Sequence, residues 1–338
     1  MRAYRIVSGA TVAGLELGEL TPSIPGDSDI AVRVRAVSLN QRDLIVANGQ
    51  HGPHSGKPLI PCSDAAGEVV AVGRKVTRFK PGDRVINCFF PRWLDGELSA
   101  DKVSHMLGFP GDGVLADEVV GHESGWVRAP EHQNDAEACT LTCAGVTAWN
   151  ALFVQVRSKP GDTVLLLGTG GVSIAALQLA KAAGMRAIIT SSSPQKLARA
   201  RKLGAAYGVD YLAHPDWETE VLSITEGRGV DVTIDVTGGT SLSKSLMATR
   251  PGGSVAVTGA LTGTATKVDV LSLLVHQKRL VGVRGGSREM LEKLCSFTEA
   301  TGLHPIVDKL FPFAAAADAF EYIASGAHFG KVVVQLSD

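Results

Sequence analysis

The chain has almost no net charge. Its 33 Lys and Arg against 34 Asp and Glu leave −1 over 338 residues, which removes the electrostatic case for nucleic acid or an anionic membrane as a partner. Long apolar runs are missing too: the longest are about ten residues, roughly half of what a bilayer-spanning helix needs. Cysteines number five, an odd count without regular spacing. That argues against a disulfide framework and for a reducing cytoplasm. The start, MRAYRIVSG, reads as a strand and not as a signal peptide. Repeats, low-complexity segments and long linkers are lacking. What is there is an ordinary globular composition, 45% hydrophobic and 20% charged, with 38 glycines for tight turns and length enough for two domains.

The most informative stretch is 163–193, TVLLLGTGGVSIAALQLAKAAGMRAIITSSS. Residues 163–167 form a short apolar run, right for a strand buried on both faces of a parallel sheet. Gly168, Thr169, Gly170, Gly171 and Val172 follow at once. Val172, Ala175, Ala176, Leu179 and Ala183 recur at helical spacing, giving one face to pack on a sheet. Gly184 caps that helix, and 187–190 is the next strand. Such a strand–glycine turn–helix unit suits a dinucleotide pyrophosphate. Glycine lets the backbone turn tightly and approach phosphate without a Cβ, and the helix N-terminus offers free N–H groups. The spacing is G-x-G-G-x-S, with Ser173 where the fingerprint has its third glycine.

An NAD site carries Asp or Glu about 20 residues on, at the end of the second strand, to hold the ribose 2′-OH. Thr190, Ser191, Ser192 and Ser193 occupy that place. No carboxylate there repels a 2′-phosphate, and the hydroxyls can donate to it. Pro194 starts a helix that brings Lys196 and Arg199 near. This reads as NADP(H). The alternative makes Ser193 a plain N-cap and Lys196 a solvated helix charge.

Residues 1–134 read as short β segments, at 30–37, 67–72, 83–86 and 113–120, with a short helix at 99–107. Residues 135–152 are helical in pattern. Further strands are expected at 207–210, 230–236, 253–259 and 280–284, alternating with helices at 194–203, 217–225 and 241–249. Six strands in this rhythm make a doubly wound parallel sheet. The tail reads as helix 288–300, strand 306–310, helix 315–324 and strand 331–336.

At this point the chain resembles the medium-chain dehydrogenase/reductase superfamily, in its zinc-free, quinone-oxidoreductase-like branch. The resemblance rests on SLNQRDL at 38–44, PCSDAAG at 61–67, KPGDRV at 80–85, LTCAGVTAW at 141–149, the glycine turn, DVTGG at 235–239 and HFGKV at 328–332. It implies an α/β protein: a Rossmann doubly wound six-stranded parallel sheet in 135–288, plus a GroES-like β-barrel domain from 1–134 and 289–338. It also implies an active site in the cleft between the domains.

Zinc members of the family use a Cys–His–Cys set. At the matching positions stand Asn40, Ser63 and Cys143, and one thiolate, alone or with Asp64, falls short of the three ligands a catalytic zinc needs. Residues 87–112 hold only Cys88 where a structural zinc lobe has four cysteines. No metal is expected; Cys143 then packs near the nicotinamide and Cys139 is packing. The resemblance puts Asn40 against the cofactor ribose or the acceptor. Asp43 either joins the site or braces the turn. Asp64 either orients Asn40 or a water, or is a buried structural acid. His51 follows Gly49 by two residues, where related reductases often place a tyrosine regarded as proton donor. It either donates a proton at neutral pH or is a solvated loop residue; His54 is a weaker candidate.

For cofactor binding the candidates are Asn40, Thr147, Gly168, Thr169, Gly170, Gly171, Val172, Ser191, Ser192, Lys196, Tyr211, Thr237, Gly259, Arg284 and Lys331. Tyr211 resembles the family tyrosine near the 2′-phosphate. Lys331 is expected to reach the phosphates, unless it and Arg284 are surface charges.

Hydride transfer from NADPH builds negative charge on an acceptor oxygen. Without a metal, hydrogen-bond donors must stabilise that oxygen, which suits quinones and α,β-unsaturated carbonyls. The expectation is a cytoplasmic, zinc-independent, NADPH-dependent reductase of such small molecules, paired as a homodimer through 280–284. The alternatives are a metal-free NADP-dependent alcohol dehydrogenase or carbonyl reductase, and an NADPH-binding protein without catalysis.

Overall fold

A computed structural model describes residues 1–52 and 56–336. The chain divides into two compact units, Met1–Val146 with Gly285–Asp338, and Thr147–Arg284. Residues 135–146 thus pack with the first unit rather than opening the second. Their polar groups are spent there: Thr142 Oγ1 donates to Asn87 O at 2.9 Å, and Ser38 Oγ donates to Cys139 O at 3.4 Å.

The second unit carries a six-stranded sheet in the order Tyr207–Asp210, Arg186–Ser191, Thr163–Leu166, Val230–Asp235, Thr249–Val257, Arg279–Gly282. Every pairing is parallel. The order reverses between Thr163–Leu166 and Val230–Asp235, the switch point at which such sheets bind ligands. Helices cover both faces, so the inner strands are continuous apolar runs; Val164, Leu165, Leu166, Ile188 and Ile189 are fully buried. The helix Gly171–Ala182 buries Ser173, Ile174, Ala176, Leu177, Leu179 and Ala180. That face is rotated from the one its periodicity suggests, and Val172, Ala175 and Ala183 are only half-buried. Ser173 explains the rotation: its Oγ donates to Leu167 O at 2.7 Å and turns that side of the first turn inward.

The first unit is organised on the eleven-residue strand Asp29–Leu39. Its seven-stranded sheet runs Val307–Pro312, Lys331–Gln335, Asp29–Leu39, Asp64–Val72, Arg84–Asn87, Trp126–Arg128, and Glu118–His122 also pairs with Asp29–Leu39. Register shifts between Ala31 and Val32 and between Val34 and Ala36 bend that strand, as barrel closure requires. Gly67 lies opposite the bend, where a Cβ would sit 2.1 Å from Arg33 O. Val34, Val37, Leu39, Ala65, Phe320, Val332 and Val334 share the core.

Several elements differ from the sequence pattern. Residues 99–107 form turns, not a helix; within them Ser104 Oγ donates to Asp101 O, a side-chain bond that competes with a helix ladder. The helical stretch after residue 134 is broken into Asp135–Ala138, Cys139–Leu141, Ala144–Trp149 and Asn150–Gln155. The last strand of the parallel sheet is Arg279–Gly282, which leaves Arg284 beyond it. Among the described residues no helix is long and apolar enough to cross a membrane.

Candidate active site

In the first unit three strand ends converge. Strand register pairs Ser38 with Asp64 and Leu39 with Val332. Asn40, Ser63 and Lys331 flank those pairs, so they meet although Lys331 is 291 positions from Asn40 in sequence. Lys331 Nζ donates to Asn40 Oδ1 at 2.6 Å and to Leu39 O at 2.6 Å, and lies 3.7 Å from Asp64 Oδ2. Asp64 Oδ2 accepts from Asn40 Nδ2 at 2.9 Å and Ser38 Oγ at 3.0 Å, and Oδ1 from Ser63 Oγ at 2.6 Å. Ser38, Ser63 and Asp64 are fully buried and Lys331 is 5% exposed. Asn40 is half-buried and is the member with a face left outward. Asp64 therefore both orients Asn40 and is a hydrogen-bonded buried acid. The surface-charge alternative fails for Lys331, and its ammonium is engaged with Asn40 rather than held out for phosphate.

Asn40 is also the N-cap of the helix Gln41–Ala47. Asn40 N–H donates to Asp43 Oδ2 at 2.8 Å, and Asp43 N–H to Asn40 O at 2.9 Å. Asp43 thus braces the turn. Burial pushes its carboxyl up to about 6, against the opposing pull of Arg42 and the Asn40 N–H.

His51 belongs to a different group. Arg42 Nε donates to His51 Nε2 at 3.3 Å, and the other Arg42 nitrogens donate to Leu107 O and Phe109 O. Phe109 packs on the imidazole with ring centroids 4.9 Å apart, and Arg42 lies over Phe89. An Nε2 that accepts leaves Nδ1 as the protonated nitrogen, and Nδ1 is buried. The geometry packs His51 against Arg42 and Phe109 rather than leaving it a solvated loop residue. His54 lies outside the described residues. Phe90 and Trp93 are core side chains, 0% and 2% exposed.

The zinc-ligand positions do not fit a catalytic zinc. Asn40 Oδ1 is taken by an ammonium, Ser63 Oγ by Asp64, and burial with Asp64 nearby pushes the Cys143 thiol up to about 12. Three ligands are needed, and Lys331 already brings a positive charge to Asp64. Cys88 is a buried thiol, also pushed to about 12 by burial. Among the described residues no three His, Cys, Asp or Glu side chains are grouped to hold a metal ion.

The second unit fits a nicotinamide dinucleotide. Gly168 turns at φ +73°, and a Cβ there would enter open space. Thr169 is buried, and Gly170 caps the helix that Gly171 and Val172 open, leaving first-turn amides without partners in their own helix. Thr190 Oγ1 accepts the Gly168 N–H at 3.0 Å and steadies the turn. Ser191 Oγ accepts from Ser193 N at 3.2 Å, and Ser193 Oγ caps the next helix by accepting from Lys196 N. Ser192 is exposed and Lys196 half-buried. Tyr211, 39% exposed, sends its N–H to Ser191 O. Parallel register also sets Asp210 beside Ser191, a carboxylate the sequence reading missed because it comes from the neighbouring strand.

At the carboxyl edge, Asp235 accepts from Thr237 N, Thr237 Oγ1, Gly238 N, Ser241 Oγ and Ser245 Oγ. The donors of this network all lie within ten residues of Asp235. A Cβ on Gly259 would sit 2.3 Å from Val236 O. Thr147 is buried and Arg284 exposed.

The two halves define a class, an oxidoreductase with a dinucleotide-binding unit and a barrel unit. Family comparison agrees: residues 26–131 match the alcohol dehydrogenase GroES-like domain and 171–300 the zinc-binding dehydrogenase domain. A zinc-type alcohol dehydrogenase-like protein of Schizosaccharomyces pombe is 38% identical, over 92% of this chain and 91% of that protein. A quinone oxidoreductase of Pseudomonas aeruginosa is 31% identical, over 95% of each. Among solved structures, one from Sinorhizobium meliloti 1021, assigned provisionally as an alcohol dehydrogenase, has a TM-score of 0.91 at 41% identity, covering 99% of both chains. An NAD-dependent alcohol dehydrogenase has a TM-score of 0.91 at 32% identity, covering 100% of both. The chain belongs to the medium-chain dehydrogenase/reductase superfamily, in its quinone-oxidoreductase-like branch.

Proposed function

We propose that this oxidoreductase uses NADPH to reduce quinones or α,β-unsaturated carbonyl compounds without a metal. The observation that carries the reading is the Asn40 amide, clamped between the Asp64 carboxylate and the Lys331 ammonium. An amide nitrogen has two hydrogens; one goes to Asp64, and the other is offered on the half-buried side to an acceptor oxygen. Bound nicotinamide supplies the hydride. Asn40 then stabilises the oxygen on which charge develops, helped by the fixed positive charge behind it. The glycine turn and Gly259 admit the dinucleotide backbone, and Ser192, Lys196 and Tyr211 recognise its 2′-phosphate.

A homodimer through the edge strand Arg279–Gly282 belongs to the same reading. Val270, Leu271, Leu274 and Val275, just before it in sequence, are 64–72% exposed, apolar surface that commonly marks an interface. The five free cysteines suit a cytoplasmic setting. A second cofactor reading rests on Asp210, whose place beside Ser191 favours NADH.

Chelator-treated protein, given an α,β-unsaturated ketone with NADPH or NADH, tests this by product identity. A saturated ketone, and kcat/KM at least about tenfold higher with NADPH, are expected. An allylic alcohol would move the reaction to carbonyl reduction. A preference for NADH would overturn the cofactor assignment. NADPH binding without product on any electrophile would mean a non-catalytic protein.

A further inference from the structure

We infer that Lys331 is a positioning residue whose ammonium, together with the Asp64 carboxylate, fixes the orientation of the Asn40 amide toward the acceptor. This rests on the reading of Asn40 as the donor to the acceptor oxygen.

The two ends of a primary amide have nearly the same shape and opposite polarity. Here each end meets a group that tolerates one orientation only. Lys331 Nζ, which can only donate, is 2.6 Å from Oδ1; the Asp64 carboxylate, which when ionised can only accept, is 2.9 Å from Nδ2. Turning the amide over would set N–H against ammonium and oxygen against carboxylate at those same separations. The amide is thereby fixed with Oδ1 toward Lys331 and Nδ2 toward Asp64, and Nδ2 keeps a second N–H to give.

The lysine is itself held. Its Nζ donates to Leu39 O at 2.6 Å, and its N–H donates to Ile306 O at 3.1 Å. Gly330 before it has φ +84°, and a Cβ there would lie 2.8 Å from Ile306 O. Only glycine lets the chain enter the strand at that angle, so Gly330 aims the lysine and the lysine aims the amide. Without the ammonium, Asn40 Oδ1 loses its donor and Asp64 alone is left to hold the amide, so its aim loosens.

The test compares Lys331→Met, Lys331→Arg, Asn40→Ala and the double variant Lys331→Met/Asn40→Ala in full-length protein. Lys331→Met should lower kcat by about 10- to 100-fold, the cost of a misaimed group. NADPH affinity should stay within about threefold. Lys331→Arg should recover most of the rate, and the double variant should be no slower than Asn40→Ala, because both act through one amide. A second readout needs no turnover: the side-chain amide resonance of Asn40, assigned by its loss in Asn40→Ala. It should shift toward exposed-amide positions in Lys331→Met and return in Lys331→Arg.

An unmoved resonance, multiplicative losses in the double variant, or NADPH affinity that falls in step with kcat would each overturn the proposal; the last would make Lys331 a phosphate ligand. If the unsubstituted protein reduces nothing, the proposed function fails and the resonance still decides the role of Lys331. Should Lys331→Met not fold, Lys331→Gln, which keeps a donor and loses the charge, takes its place in the same measurements. Its expected result is a partial shift of the resonance and a partial loss of kcat.

Discussion

Each unit buries an aspartate completely, Asp64 in one and Asp235 in the other, and the two are satisfied in opposite ways. The donors to Asp235 are neutral and local: two backbone N–H groups and the hydroxyls of Thr237, Ser241 and Ser245, none more than ten residues away. Asp64 has its neighbour Ser63, but its other partners, Ser38, Asn40 and Lys331, come from or beside different strands, and one is a cation. A carboxylate saturated by its own turn fixes backbone. Here it accepts the Gly238 N–H, and Gly238 and Gly239 turn at φ +62° and +52°. A carboxylate balanced by a distant ammonium fixes polarity, because the amide between them can point only one way. On the proposed function, the first arrangement builds a cradle and the second aims a functional group.

If that contrast holds, Asp235→Ala should do the most structural damage. It strips the acceptor from several buried donors, and urea unfolding should show a loss of about 3–5 kcal/mol, with NADPH binding lost in parallel. A loss below about 1 kcal/mol would mean the donors find other partners. Asn40→Ala should invert the pattern. Removing one donor to the acceptor oxygen should cut kcat/KM by about 10²- to 10³-fold, while stability changes by about 1 kcal/mol or less, since Asp64 keeps Ser38, Ser63 and Lys331. A stability loss as large as the catalytic one would reduce Asn40 to a structural residue.

The third way to sharpen the comparison is pH. Burial holds Asp43, under the first cluster, at about 6 against an unperturbed 3.8. The folded state binds that proton more tightly than the unfolded one, so stability should rise by about 3 kcal/mol as pH falls from near 7 to near 4. Asp231 in the second unit behaves in reverse. Burial alone would raise it, but hydrogen bonds from Arg228, the Thr163 N–H and Arg250 bring it to about 2, below 3.8. Its contribution, on the order of 2 kcal/mol, is present above about pH 4 and lost as pH falls toward 2. Melting curves across this range should lose the upper slope in Asp43→Asn and the lower one in Asp231→Asn. An upper slope that survives Asp43→Asn would reassign that proton.

Much of the second unit was readable in the sequence because its chemistry is local. The glycine turn, its strand and helix, and the next strand are consecutive, and their periodicities reach the eye directly. Even there, Ser173 turns the helix face by donating to Leu167 O, and Thr190 accepts the Gly168 N–H from the neighbouring strand's turn, contacts that periodicity does not carry. Asp210 shows the limit. It stands beside Ser191 only through strand register, and register is not written in either strand alone. In the first unit the motifs named Asn40 and Asp64 but not their contact with Lys331, and the loop around His51 gave no sign that Arg42 would donate to its Nε2.

By itself, the sequence determined the α/β rhythm, the dinucleotide turn and the family, because helix and strand periods and glycine conformations act over a few residues. Only the tertiary structure decided that Lys331, 291 positions beyond Asn40, would be buried against it. The antiparallel ladder that sets Val332 opposite Leu39 brings that charge to the amide, and a contact made by strand pairing depends on both strands at once.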